Sequence, residues 1–276
     1  MFEIVIVGLG LIGGSVSKAL KTGTRHKVRG MDTDESAVLD ALSCGAIDDR
    51  ASLFDIKNAD IIYLCTYPDA AVEFVREHVG DLKNGCIVTD TCGVKQSVCS
   101  RIEALRKDET FLFVGAHPMA GKEKSGFSES TASLFSGASY IITPGAAPQA
   151  AVDTVSELAR SMGFGRIILT TPEKHDRLIA FTSQVPHVLA CAYVMSPSCA
   201  EHQGFSAGSY RDVSRVADIN GELWSGLFLE NRDELVSELD CLMRNIGRLR
   251  EAVFKEDKSK LKSLLQEAGD RKRIYV

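Results

Sequence analysis

The segment FEIVIVGLGLIGGS, Phe2 to Ser15, constrains this chain more than any other. Its apolar, β-branched run Phe2–Val7 reads as a buried strand. The run passes directly into Gly8, Gly10 and Gly13, spaced G-x-G-x-x-G, and then into a helical pattern over Gly13–Leu20. Strand, glycine loop and helix in that order are the context in which this spacing points to dinucleotide binding. Gly8 permits the tight turn, Gly10 lets the backbone approach a pyrophosphate, and Gly13 lets the helix pack closely on the sheet. Free N–H groups at the helix start favour the negative charge. A second strand, Lys27–Asp32, ends in GMDTDE, which puts Asp32 about twenty residues beyond the loop, where a carboxylate binds a ribose diol. That carboxylate repels a 2′-phosphate, and no Lys or Arg at 33–36 could receive one, so NAD is expected rather than NADP. Leu11, Ile12, Thr66 and Thr91 are expected on the same cofactor.

The strand–helix alternation continues. Ala59–Thr66, Cys86–Asp90, Thr110–Ala116, Ser139–Pro144 and Gly165–Thr170 read as further strands. Ser36–Cys44, Ala70–Val79, Val94–Arg106 and Gln149–Met162 read as amphipathic helices between strands. This spacing implies an α/β Rossmann-type, mostly parallel sheet with crossover helices. At Thr171-Pro172 the pattern changes, since Pro172 and Glu173 suit the first turn of a helix. No convincing strand follows, so the chain is divided into a dinucleotide domain, 1–171, and an all-helical domain, 172–276. Pro186 is expected to kink the long apolar helix EKHDRLIAFTSQVPHVLACAYVM. The apolar faces of this half could cover the first domain or a second copy of the chain.

Composition narrows the partners. The chain has 276 residues, 45% of them hydrophobic, and a net charge of −5, a balance that argues against a nucleic-acid-binding face. No apolar stretch is long enough for a membrane span, and the start MFEIVIVGLG lacks the basic flank of a secretory signal. Eight cysteines form no CxxC pair and no zinc spacing. They read as thiols in a reducing cytoplasm, with no disulfide and no metal.

Three stretches carry the remaining chemistry. HPMAGKEKSGF holds His117, Glu123 and Ser125 at the end of an apolar run, TSQVPHVLA holds His187, and GSYRDVSRVADINGELW holds Arg211, Asp212, Arg215, Asp218 and Trp224. In the last, Asp212, Arg215 and Asp218 fall at i, i+3, i+6, the spacing of one helix face. Together with GLGLIGGS and DTCGVK, and in this order, these stretches resemble the prephenate dehydrogenase family, which includes the arogenate dehydrogenases of tyrosine biosynthesis.

The resemblance implies a helical domain that dimerises, and oxidative decarboxylation of prephenate to 4-hydroxyphenylpyruvate with NAD. Arogenate, which gives tyrosine directly, is the alternative substrate. It implies that His117 accepts the substrate hydroxyl's proton, work suited to an imidazole with an ordinary pKa of ~6.5. Met119 to Gly121 form the turn after it. Arg215 binds the ring carboxylate through paired hydrogen bonds. His187 holds the pyruvyl side chain, Glu123 stands near the entrance, and Gln184 and Trp224 contact substrate. Asp212 orients its neighbours.

Two positions depart from the family pattern. Gly93 stands where many members carry a serine in D-x-G-S-V-K, so support for His117 would have to come from elsewhere, such as Thr91 or a water. Gln184 replaces the first histidine of S-H-x-P-H. A β-hydroxyacid dehydrogenase and a non-catalytic NAD sensor are the other readings. The first lacks its lysine beside TSQVPH, and the second leaves His117, His187 and Arg215 without a common task. The short stretch after the last helix leaves no expected room for an appended ACT or chorismate mutase domain, so tyrosine feedback is expected only by competition at the active site.

Overall fold

The alternation of the strand residues decides the layers. In the computed structural model, which describes residues 1–106, 111–122 and 124–275, the first strand is β1 (Glu3–Val7), and the glycine loop leads into α1 (Leu11–Gly23). β2 (Lys27–Met31), α2 (Glu35–Ser43), β3 (Asp49–Arg50) and α3 (Leu53–Asn58) follow. Next come β4 (Ile61–Leu64), α4 (Pro68–His78), β5 (Cys86–Asp90), α5 (Gln96–Leu105) and β6 (Phe111–Pro118). β7 (Ser139–Thr143), α6 (Gln149–Ser161) and β8 (Arg166–Leu169) complete the sheet.

Ile4, Ile6, Ile61, Tyr63, Val114 and Ala116 pack on one side of the sheet, while Val5, Val7, Ile62, Leu64, Phe111 and Phe113 pack on the other. Successive side chains of a strand point to opposite faces. A sheet covered by helices on both faces therefore requires apolar residues at consecutive positions.

The strand order is β3-β2-β1-β4-β5-β6-β7-β8. All neighbours run parallel except β6 and β7, where His117 opposes Ile141. The chain begins at β1, builds outward to β3, then returns to place β4 on β1's other side. The order therefore reverses between β1 and β4, and open α/β sheets bind ligands at the carboxyl ends of strands at such a point.

Two elements escaped the sequence reading. β3 has only two residues, too few for a periodic signal. α3 announces itself instead by a capping box, in which Ser52 and Asp55 bond each other's backbone N–H. The strand expected over Thr110–Ala116 runs on through His117 and Pro118, and Thr110 lies outside the described residues.

From α7 (Pro172–Ile179) onward the described residues form helices: α8 (Val185–Val194), α9 (Gly208–Ser214), α10 (Gly221–Glu230), α11 (Arg232–Phe254) and α12 (Lys258–Tyr275). Thr171 caps α7 by accepting from Lys174 N. The expected break near Pro186 is a π-helical turn over Ala180–Gln184, in which Val185 N–H reaches back to Ala180 O. A proline ring has no N–H to donate and crowds the carbonyl four residues back. Widening the preceding turn accommodates it. No helix among the described residues is long and apolar enough to cross a membrane.

Candidate active site

The glycine loop lies at the strand-order reversal. Gly8 adopts φ +89, and a Cβ there would sit 2.6 Å from Cys65 O, on the neighbouring strand end. A Cβ at Gly13 would sit 1.8 Å from Gly8 O, whereas one at Gly10 meets nothing within 4 Å. The loop is therefore sealed against the sheet at Gly8 and Gly13 and open at Gly10. Gly10 caps α1 with no side-chain hydrogen bond, so the N-terminus that begins Leu11-Ile12 keeps its N–H groups for an anion. Asp32 anchors the loop: its Oδ2 accepts from Leu9 N at 2.5 Å and its Oδ1 from Asp34 N at 2.8 Å. These residues fit a dinucleotide. Thr66 borders the loop, its Cγ2 2.9 Å from the Cβ position of Gly8.

His117 stands at the carboxyl end of β6. Its Nδ1 lies 2.9 Å from Nε2 of His175 on α7, and His175 Nδ1 lies 2.6 Å from Asp176 Oδ1. A carboxylate oxygen accepts, so His175 donates from Nδ1. Burial lowers the His175 pKa despite the opposing pull of Asp176, so the ring is neutral near pH 7 and its Nε2 is an acceptor. His117 then donates from Nδ1, which leaves the Nε2 lone pair for substrate. That lone pair is turned toward Gly93, where a Cβ would lie 4.0 Å from Nε2 and 3.4 Å from Leu227 Cδ2.

His175 and Asp176 were not singled out from the sequence. Their signal was a His-Asp pair one turn inside a Pro-started helix, flanked by exposed Lys174 and Arg177. Support for His117 thus comes from an imidazole rather than from Thr91. The Thr91 hydroxyl donates to Leu64 O at 3.3 Å and its N–H to the same carbonyl at 3.0 Å, which tie it to β4.

Beneath this site Asp90 and Lys95 form an ion pair with no solvent exposure. Asp90 also accepts from Ala116 N and Cys92 N, both at 3.0 Å, which fixes the DTCGVK loop to β6 one residue before His117. Burial disfavours the Lys95 ammonium, but the surrounding groups that favour its charge, Asp90 foremost, together outweigh burial and raise its pKa. Burial pushes the Cys92 thiol well up, with the Asp90 carboxylate adding to the effect, so Cys92 is no nucleophile.

The helical half brings several expected residues together. His187 on α8 stacks on Trp224 of α10, centroids 3.7 Å apart, and its Nδ1 bonds Ser183 O at 2.8 Å. One turn along α10, Leu227 borders Gly93. α8 packs against the 3₁₀ turn Arg215–Ala217, where Cys191 Sγ approaches Ala217 O. The turn that carries Arg215 therefore packs on the helix that carries His187, and His187 in turn stacks on Trp224. Asp212, Arg215 and Asp218 do not share one helix face, because α9 ends at Ser214 and Asp218 lies beyond the 3₁₀ turn.

Gln184 lies inside the helical half. It is buried, its Nε2 donates to Leu227 O at 3.1 Å and its Oε1 accepts from Asn231 Nδ2 at 2.8 Å. Its amide thus joins α10 and α11 inside the helical half. Glu123 lies outside the described residues.

The two neutral imidazoles tie stability to pH. Burial, then the neighbouring His175 and Lys95, holds His117 well below the ordinary histidine range, and burial lowers His175 also. Histidines of the unfolded chain take up protons near pH ~6.5. Below that value the unfolded state binds protons that the native state refuses, so stability present above it is lost as pH falls. Between about pH 7.5 and about pH 5.5 the wild type is expected to lose more Tm than a His117→Gln/His175→Gln variant. Equal losses would show that these rings are not the groups responsible.

Residues 16–169 match the family model "Prephenate dehydrogenase, nucleotide-binding domain", and residues 171–267 match "Prephenate dehydrogenase, dimerization domain". The chain belongs to the prephenate dehydrogenase family. It is 31% identical to the prephenate dehydrogenase of Bacillus subtilis (strain 168), over 97% of this chain and 74% of that protein. The crystal structure of prephenate dehydrogenase from A. aeolicus, in complex with hydroxyphenyl propionate and NAD+, matches at a TM-score of 0.88. The two chains are 26% identical, with 100% of this chain and 99% of that one covered. Synechocystis arogenate dehydrogenase matches at a TM-score of 0.84 and 26% identity, with 99% of each chain covered. Within the prephenate dehydrogenase fold, then, this chain pairs a glycine at 93 with a buried histidine behind His117.

Proposed function

We propose that this chain is an NAD-dependent dehydrogenase that oxidises and decarboxylates prephenate to 4-hydroxyphenylpyruvate. The observation that carries the reading is the orientation of His117: Nδ1 committed to His175, and Nε2 turned toward the face lined by Gly93 and Leu227. His117 takes the proton of the ring hydroxyl on Nε2. NAD, when bound on the Gly8–Gly13 loop, supplies the acceptor for the hydride of the same carbon. Arg215 binds the ring carboxylate, which leaves as carbon dioxide, and the electron pair of the broken C–C bond completes the aromatic ring. His187, held by Ser183 O and Trp224, receives the side chain. Asp32 favours NAD over NADP by repelling a 2′-phosphate. Aromatisation drives the reaction, so the protein's work is alignment and proton removal.

Arogenate is the second reading, since it differs only on the side chain that His187 would receive, and an arogenate dehydrogenase is among the matching structures. NADH production with prephenate, with arogenate and with simple hydroxyacids, each tested with NAD and NADP, separates the readings. Prephenate with NAD is expected to give the largest kcat/KM. NAD binding without turnover of any substrate would remove the proposal.

Arg215→Ala is expected to weaken substrate binding by about 2–4 kcal/mol, the range for removing one partner of a hydrogen-bonded charge pair. NAD affinity should stay unchanged. An unaltered KM for prephenate would take Arg215 out of the carboxylate site.

The same reading includes a homodimer through the helical half. Val236, Met243, Ile246 and Val253 recur along α11 and are exposed in the single chain. A contiguous apolar stripe of this kind is ordinarily covered by a partner. Sedimentation of the full chain tests this, with a dimer expected.

A further inference from the structure

We propose that Asp176 and His175 form a positioning relay through which docking of the helical half onto the sheet half sets the tautomer of His117. The proposal rests on reading His117 as the proton acceptor and adds a condition to it: the base is ready only when the two halves are seated.

The carboxylate of Asp176 has three partners. Oδ1 accepts from Lys95 N at 2.8 Å and from His175 Nδ1 at 2.6 Å, and Oδ2 accepts from Gln96 N at 2.8 Å. Lys95 and Gln96 open α5, whose own N-cap makes no side-chain hydrogen bond. A residue of the helical half therefore caps a helix of the sheet half, and the same oxygen that receives Lys95 N fixes the proton of His175.

The chain of consequences has one direction. With Nδ1–H of His175 held by Asp176, its Nε2 can only accept, so Nδ1 of His117 must donate and Nε2 of His117 must be bare. If the carboxylate withdraws, His175 is free to carry its proton on Nε2 instead. It then donates to His117 Nδ1, and the His117 proton moves to the nitrogen that should receive the substrate's. In the Ser-His-Asp constellation a wrong tautomer of the base costs about 10⁴ in turnover.

Asp176 is itself held from the other side. Its backbone carbonyl accepts from Asn231 Nδ2 at 2.9 Å, and Asn231 bonds Gln184, which bonds Leu227 O. Leu227 borders Gly93 opposite His117 Nε2. One buried network thus carries both the orientation of the base and the wall that faces its lone pair. His175, Asp176, Gln184 and Asn231 are positioning residues; none of them is assigned a contact with substrate.

Long-range ¹H–¹⁵N spectra of the imidazoles, recorded on the full chain, read the tautomers directly. In the wild type His117 is expected as the Nδ1–H form, and a wild-type His117 protonated on Nε2 would overturn the proposal without any variant. His175→Leu and Asp176→Ala should each give mixed His117 tautomers and a kcat lower by about tenfold or more, with the KM for prephenate and NAD affinity kept. His175→Gln, whose amide oxygen can accept from His117 Nδ1, should recover part of the turnover lost in His175→Leu. A single Nδ1–H form persisting in both His175→Leu and Asp176→Ala, or no recovery with glutamine, would refute the relay. The two readings fail separately. Wild-type turnover in His117→Ala would remove the base assignment, whereas an inactive His117→Ala with an undisturbed His117 tautomer in the relay variants would leave the base standing and remove only the relay.

Discussion

Replacing His117 by alanine is expected to lower kcat by about 10²–10⁴, the usual contribution of a positioned general base, while NAD still binds. The separation follows from position. His117 sits at the end of β6, whereas the loop that would hold the cofactor phosphates sits between β1 and α1, three places away along the sheet but also at the carboxyl ends of the strands. Among the described residues the imidazole bonds His175 and makes no hydrogen bond to the glycine loop. Its pH behaviour has a definite sign. A base works unprotonated, so kcat/KM falls as pH drops through its pKa. Burial holds that pKa well below the ordinary histidine value, with His175 and Lys95 adding to the effect. The acid limb assigned to His117 should therefore lie below pH ~6.5. A pH–rate profile and fluorescence titration of NAD on wild type and His117→Ala check both halves. Full turnover in the variant would exclude His117 from the chemistry, and lost NAD binding would mean that the substitution disturbed the nucleotide site instead.

The parts of this arrangement that were legible in the sequence are those whose signal is local. The glycine loop is a run of adjacent residues with a fixed spacing, and its strand and helix lie on either side, so Phe2–Leu20 could be read without knowing the rest of the fold. His117 was legible because an ionisable ring and a proline end an apolar strand. His175 and Asp176 were not, because their meaning is a contact made across the whole sheet half: on a helical wheel they are two polar residues in a helix with exposed lysine and arginine neighbours. Gln184 shows the same limit. The family resemblance implied a substrate contact there, but nothing local showed that its amide bonds Asn231 and Leu227 O. Asp218 was placed on the arginine's helix face because spacing alone cannot tell that α9 stops at Ser214. Local pattern specified the elements. The hydrogen-bond partners of buried polar groups, which depend on how elements meet, did not follow from it.

Lys95→Met is expected to destabilise the protein by about 3–5 kcal/mol, the cost of leaving one partner of a buried ion pair without the other. Methionine fills nearly the same volume, so the loss is electrostatic rather than a cavity. What remains is an Asp90 carboxylate with no exposure, still accepting from Ala116 N and Cys92 N but stripped of its counter-ion. Removing both charges does not restore the wild type here. In Lys95→Met/Asp90→Leu the carboxylate is gone, but the N–H groups of Ala116 and Cys92 lose their acceptor. Each buried unpaired group costs about 1–3 kcal/mol. The pair is therefore retained for what Asp90 does to the backbone: it ties the DTCGVK loop to the residue before His117, and Lys95 neutralises it in place. Urea unfolding of the two variants measures this. A double variant as stable as wild type would mean that the two N–H groups find other acceptors. A Lys95→Met change of less than about 1 kcal/mol would mean that Asp90 is not left as a buried charge. If both variants are destabilised as expected, residual turnover at low temperature should also be reduced, because the loop that carries Gly93 and presents Lys95 N to Asp176 is the one the pair holds.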